Sequence, residues 1–270
     1  MGLLPLRDFN PMRHIRRGYV TLAFIAANVI IFAVSLGGGE AAYSTVINTY
    51  GLVPIHLIND PAAGPVPAWA TLFTSIFLHG GLLHLIGNML YLHIFGDNVE
   101  DAVGHVRMIV FYGLCGLAAG LIHVVSDPTS AIPTIGASGA VSGILGAYLV
   151  LHPRARILVV GPYFMTFRLP ALTVLGLWIV VQVGSAAFTA TDQAGVAFWA
   201  HIGGFAAGAI LIVPFRRRGV RLFGREREVR VGQATTSIIP DSGAGRGPVQ
   251  NRRTPDDGPV PPRPQTVRRG

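Results

Sequence analysis

Residues 132–151 read IPTIGASGAVSGILGAYLVL. The apolar part, Ser138 to Leu151, is 14 residues long. As a helix rising 1.5 Å per residue it reaches only about 21 Å, short of the roughly 30 Å hydrocarbon core of a bilayer. Its start must therefore lie inside the membrane. Irregular backbone at that depth survives only where it is buried in protein or lines a wet cavity, so Ile132 to Ala137 is expected to dip into a hydrated pit.

The rest of the chain agrees with a membrane setting. Of 270 residues, 51% are hydrophobic and 13% charged, and mean hydropathy is +0.52, whereas soluble domains carry about a quarter charged residues. Six spans are expected, at about 18–37, 81–96, 107–125, 138–151, 170–189 and 195–215. Although arginines precede it, the first has an uncharged run too long for a cleaved signal peptide and reads as a retained helix. Cys115 is the only cysteine, which excludes an intramolecular disulfide and a cysteine zinc cluster. Every basic side chain is arginine. That excludes Ser–Lys dyads, Schiff-base chemistry and the phosphate loop ending in Gly-Lys-Ser/Thr.

Arginine placement tests the span count. Segments 1–17, 97–107, 152–169 and the tail hold 4, 1, 3 and 13 of the 21. The intervening loops, about 38–80, 126–137 and 190–194, hold none. This is the asymmetry that puts both termini in the cytoplasm. Residues 216–270 carry the whole net charge of +8 and are rich in Pro and Gly without interleaved aromatics, which fits a disordered tail near anionic headgroups and speaks against nucleic acid as a partner. The external loop at 38–80, with Trp69, Phe73 and Phe77, is expected to rest in the outer interface.

Polar side chains at membrane depth are expensive and mark candidate function. In the outer half they are His79, His84 and Asn88 at and in span two, Ser138 and Ser142 in span four, and His201 in span six. Gly139-xxx-Gly143 and Gly204-xxx-Gly208 let spans four and six approach closely. A Ser hydroxyl that meets a His imidazole across such a contact becomes a nucleophile. The same residues equally suit a capping Ser and a packing His. His84 and Asn88, four apart on one helical face, are neutral donors suited to a developing oxyanion. His79 and His84 lack the Glu and the spacing of a metalloprotease helix, so no metal is expected. No Asp or Glu lies in a span interior; Asp97, Glu100 and Asp101 are assigned to a cytoplasmic turn.

Taken together, these pieces resemble the rhomboid family of intramembrane serine proteases, over about residues 18–215. Gly136-Ala137-Ser138-Gly139 is similar to the family's nucleophile motif, and Ala200-His201-Ile202-Gly203-Gly204 to its histidine helix. His79-xxxx-His84-xxx-Asn88 resembles the second-helix pattern, and Gly96-xxx-Glu100-xxx-Gly104 the turn that follows. The resemblance implies an all-α, six-transmembrane-helix rhomboid-like bundle at 18–215, between a cytoplasmic segment at 1–17 and the tail at 216–270. It also implies a Ser138–His201 dyad without an acidic third member, His84 and Asn88 as oxyanion donors, no cofactor, and cleavage of transmembrane protein substrates among membrane lipids. The expected location is a bacterial inner membrane. A non-catalytic rhomboid-like protein that binds membrane clients is the alternative. Two departures stand out: Ala70-Thr71 where relatives often have Trp-Arg, and Ser142 where some carry a Tyr that stacks on the histidine. Other packing, or a hydrogen bond from Ser142, is then expected to hold the His201 ring.

Overall fold

The computed structural model describes residues 4–62, 65–188 and 196–224. Its long apolar helices are α1 (Tyr19–Gly37), α6 (His105–Ser126), α8 (Ala171–Phe188) and α9 (Phe198–Phe215). Between α1 and the next long helix lie α2 (Gly39–Tyr50), α3 (Pro54–Asn59), α4 (Ala68–Thr74) and a 3-10 turn at Ser75–Phe77. Helix α5 (Leu82–Val103) meets the α4 segment at a bend of 81°. The short helix α7 spans Ser138–Leu151, as its apolar run predicts.

Burial explains how a 14-residue helix is tolerated. Eleven residues of α7 are buried, so its surroundings are protein rather than lipid. By contrast α1 buries only Thr21, Asn28, Phe32 and Ser35, while Ile30, Val34 and Leu36 are exposed. A lipid-facing helix turns its apolar side outward and keeps its few polar groups inside. Asn28 and Ser35 there bond to the carbonyls of Phe24 and Ile31, one turn back.

Glycines bring α7 against α9. A Cβ on Gly204 would sit 2.0 Å from the Gly139 carbonyl oxygen, and one on Gly208 would sit 1.8 Å from that of Gly143. Both distances are impossible, so these two positions admit no side chain while the backbones touch. The first two turns of α7 thereby lie directly against α9.

At the opposite end the structure corrects the sequence reading. Helix α5 continues to Val103 and α6 begins at His105, so Asp97, Glu100 and Asp101 are helical, and the turn shrinks to Gly104. Buried Glu100 accepts hydrogen bonds from the N–H groups of Val20 and Thr21 and from the Thr21 hydroxyl. Those N–H groups open α1 and have no acceptor within it. Gly96 lies against Thr21 at the same junction. Asp101 likewise accepts from the backbone of Arg13, His14 and Ile15.

The stretch 152–169, expected as loop, folds instead into β2 (Arg156–Val160) and β3 (Thr166–Pro170). With β1 (Leu4–Asp8) these form a three-stranded antiparallel sheet in the order β1-β2-β3. Ile157 and Val159 are fully buried, which fastens one face of the sheet to the bundle. Residues 216–224, assigned by sequence to the tail, pack back on the bundle: the N–H groups of Arg217, Phe223 and Gly224 donate to the carbonyls of Ala102, Val150 and Leu151. The expected disorder of 225–270 and the expected loop at 190–194 lie outside the described residues.

Candidate active site

Ser138 opens α7 and His201 lies in the first turn of α9. A Cβ on Gly139 would lie 3.8 Å from the Ala200 carbonyl oxygen, one residue before His201, so these two turns are neighbours. Ser138, His201, His84, Asn88 and Gly136 all line one cavity of about 830 Å³. Ile132 to Ile135, on the segment expected to dip inward, also line it.

The approach to Ser138 is shaped by Gly136. Its φ of +127° lies where L side chains are strained. A Cβ there would fall 2.9 Å from the His84 ring and 3.6 Å from the Ser138 Oγ, so His84 and Ser138 flank one glycine. The loop is pinned by the Gly136 N–H donating to the Ser75 carbonyl at 2.9 Å. A second tie joins Thr134 Oγ1 and His123 Nε2 at 2.7 Å. A short bridge between Leu52 and Thr134 attaches it to the segment after α2.

The second-helix residues converge as expected from their spacing. Asn88 is buried, and its Nδ2 has no hydrogen-bond partner among the described residues. A buried amide donor left unpaired on a cavity wall is costly unless something in the cavity accepts from it. His84 is exposed to the cavity, and its ring meets that of His79 edge-on with centroids 5.2 Å apart. His79 itself is 1% exposed and is not among the cavity-lining residues. Its carbonyl accepts from the Tyr43 hydroxyl.

The His201 ring is held by α8, not by Ser142. The Ser142 hydroxyl donates to the Ser138 carbonyl at 2.6 Å, which uses the one proton it could have donated to the imidazole. Instead His201 Nδ1 lies 2.7 Å from Gln182 Oε1. Trp178 lies 5.8 Å from the His201 ring, centroid to centroid, and also stacks on Phe205. Trp178 and Gln182 escaped the sequence reading. The available signal was a single amide inside an apolar span, four residues and so one helical turn after a tryptophan.

The departure at Ala70-Thr71 is compensated locally. Thr71 is buried and its hydroxyl bonds to the Ala68 carbonyl. Leu72 packs with Leu52 and Val124 in a small apolar cluster. Thr74 donates to the Tyr50 carbonyl. Trp69 is 56% exposed, and its backbone N–H donates to the Pro61 carbonyl.

Comparison with known proteins bears on the whole arrangement. The chain is 34% identical over 140 residues to RHOMBOID-like protein 5 of Arabidopsis thaliana, covering 52% of this chain and 42% of that one. It is 31% identical over 199 residues to Rhomboid protease GluP of Bacillus subtilis, covering 72% and 35%. Rhomboid-like protein 11, chloroplastic, from Arabidopsis thaliana is 27% identical over 196 residues, covering 69% and 65%. The chain thus spans less than half the length of the first two. Residues 67–218 match the model of the Rhomboid domain, a stretch running from α4 to just past α9, and this multi-pass membrane protein belongs to the rhomboid family.

Proposed function

We propose that the chain is an intramembrane serine endopeptidase that cleaves transmembrane protein substrates in or beside the membrane. The carrying observation is the His201–Gln182 hydrogen bond of 2.7 Å, with His201 and Ser138 lining one cavity. With the glutamine oxygen turned to the ring, Nδ1–H is the donor, and that tautomer leaves Nε2 free as a base. That is the tautomer a serine nucleophile needs.

In this reading the Ser138 Oγ attacks the scissile carbonyl carbon while His201 Nε2 takes the hydroxyl proton. Negative charge gathers on the carbonyl oxygen, where the unpaired Asn88 Nδ2, His84 and the N–H groups of the first turn of α7 stabilise it. Collapse of the tetrahedral intermediate breaks the C–N bond, and the leaving amine takes the proton from His201. Water then attacks the acyl-enzyme by the same route in reverse, freeing Ser138. Gln182 and Trp178 touch no reacting atom and act by positioning the base. The substrate segment must unwind locally, since a helical peptide bond is shielded by its own hydrogen bonds.

The chemistry sits at the arginine-free end. Every arginine among the described residues lies before α1, at the α5–α6 junction, between α7 and α8, or after α9, which is one end of the bundle. By the positive-inside rule that end is cytoplasmic in a bacterial inner membrane, and the cavity opens outward.

The test is incubation of purified protein with a panel of single-span membrane proteins beside Ser138→Ala and His201→Ala. Each substitution abolishes cleavage without unfolding the chain, and the double variant is no worse than either, because the two act as a unit. Undiminished cleavage by Ser138→Ala would remove the assignment. A chain that binds such proteins and never cuts them would be a client-binding rhomboid-like protein.

A further inference from the structure

The hairpin between α7 and α8 presents a surface that catalysis does not use. At its tip Tyr163 and Phe164 are 93% and 92% exposed. Both occupy the left-handed region, with φ of 57° and 59°. Two consecutive bulky aromatics in that conformation are strained, and a turn chosen for folding alone would carry Gly or Asn there. Met165 beside them is 58% exposed.

Behind the tip the sheet is cationic on its outer face. Arg7, Leu158 and Arg168 lie in register across the three strands, and Arg156 starts β2. All three arginines are exposed. Among the described residues no carboxylate lies within ion-pair distance of them; the histidine–carboxylate contacts His14–Asp101 and His105–Glu100 lie elsewhere. Arg168 sits 4.7 Å and Arg7 5.7 Å from the Phe9 ring, which spreads the charge over an apolar base. The other face, with Ile157 and Val159, is buried against the bundle, so the sheet cannot turn over to hide either feature.

We infer that this hairpin is a lipid anchor: Tyr163, Phe164 and Met165 insert into the interface of an anionic leaflet while Arg7, Arg156 and Arg168 bind its phosphate headgroups. The position argues for a bilayer rather than another surface. Strand β3 ends at Pro170 and the membrane helix α8 begins at Ala171, so no linker separates the hairpin from the membrane boundary. Aromatic rings favour that boundary, and arginine stems lie along apolar surface with their heads toward phosphate. Anionic headgroups complement the unpaired charge. The anchor ties down the near end of α8, the helix that carries Trp178 and Gln182.

The experiment places a spin label at Met165→Cys in the full chain with Cys115→Ser, reconstituted in phosphatidylcholine vesicles with or without phosphatidylglycerol. Accessibility to oxygen and to an aqueous nickel chelate gives its depth, and a label at Arg218→Cys, after the end of α9, is the reference. With phosphatidylglycerol the Met165 label is expected about 5–10 Å below the headgroup boundary, the depth of interfacial segments. It rises toward water in phosphatidylcholine alone, or when Arg7, Arg156 and Arg168 become Gln. Tyr163→Ser with Phe164→Ser expels it even with phosphatidylglycerol present, while thermal unfolding and proteolysis in detergent stay as in the parent. A label as water-accessible as the reference in phosphatidylglycerol would overturn the anchor. So would protection that appears only when a soluble protein extract is added, since the occupant would then be a protein.

Discussion

His201 Nδ1 lies 2.7 Å from Gln182 Oε1, and Trp178, one helical turn before Gln182, lies 5.8 Å from the same ring, centroid to centroid. The pair supplies from α8 the orientation that a tyrosine at position 142 would supply from α7. Gln182→Leu should therefore lower kcat by about 10- to 100-fold with little change in KM, a part of the about 10²–10⁴ that a general base contributes. Gln182→Glu keeps an acceptor for Nδ1–H and should retain more activity than Leu. Steady-state cleavage of a purified single-span substrate measures both, and a Leu variant at the parental rate would exclude the positioning role.

Asn88 presents a buried, unpaired donor to the cavity. Asn88→Ala should slow cleavage by about 10- to 1000-fold, as for removal of one of several oxyanion donors. The thermal midpoint should hold or rise, because the orphaned amide is also removed. Parallel kinetics and unfolding scans separate these effects; an active Asn88→Ala enzyme would reduce the residue to a packing role.

Gly208 touches the Gly143 carbonyl closely enough that an added Cβ would lie 1.8 Å away. Gly208→Ala must push α7 from α9, with a cost of about 1–3 kcal/mol or more and a loss of activity as Ser138 and His201 separate. A Cβ added to Gly113 would meet nothing within 4 Å, so Gly113→Ala should leave both stability and cleavage intact. Thermal unfolding in one detergent compares the two.

Asp8 accepts from Asn98 Nδ2 and from the Tyr148 hydroxyl. Burial, with a smaller contribution from the Asp97 carboxylate, pushes its own carboxyl up to about 6. The folded chain then binds more protons than the unfolded one between about pH 4 and 6, so this group's contribution to stability falls as pH rises through that window. Asp8→Asn keeps an acceptor without the charge. Relative to the parent, its thermal midpoint should rise between about pH 4 and 6, and parallel curves would refute the assignment.

Two truncations test where the folded unit ends. A chain ending at residue 224 keeps the backbone bonds of Arg217, Phe223 and Gly224 to α5 and α7, and should cleave a detergent-solubilised substrate like the full chain. A chain ending at residue 215 loses them and should unfold at lower temperature. Equal midpoints would place the boundary at 216, as the charge distribution suggests.

Much of this was legible in the amino-acid order because bilayer physics writes long, simple signals. Most span bounds followed from the runs of apolar residues, although α5 runs seven residues past its expected end. The short α7 followed from its 14 residues. Ser138, His201, His84 and Asn88, singled out as polar where polarity is costly, line one cavity. Signals that depend on distant partners were not legible. Asp97, Glu100 and Asp101 look like turn residues until Glu100 meets the open N–H groups of α1 and Asp101 those of residues 13–15, 86 or more positions away. The strands at 156–160 and 166–170 needed β1, from the far end of the chain, to complete their sheet. Gln182 and Trp178 gained meaning only when α8 packed beside α9, because a hydrogen bond of 2.7 Å to His201 is a fact of tertiary distance. Periodicity and composition determined which residues enter the membrane; the close approach of glycine-lined helices decided which of them meet.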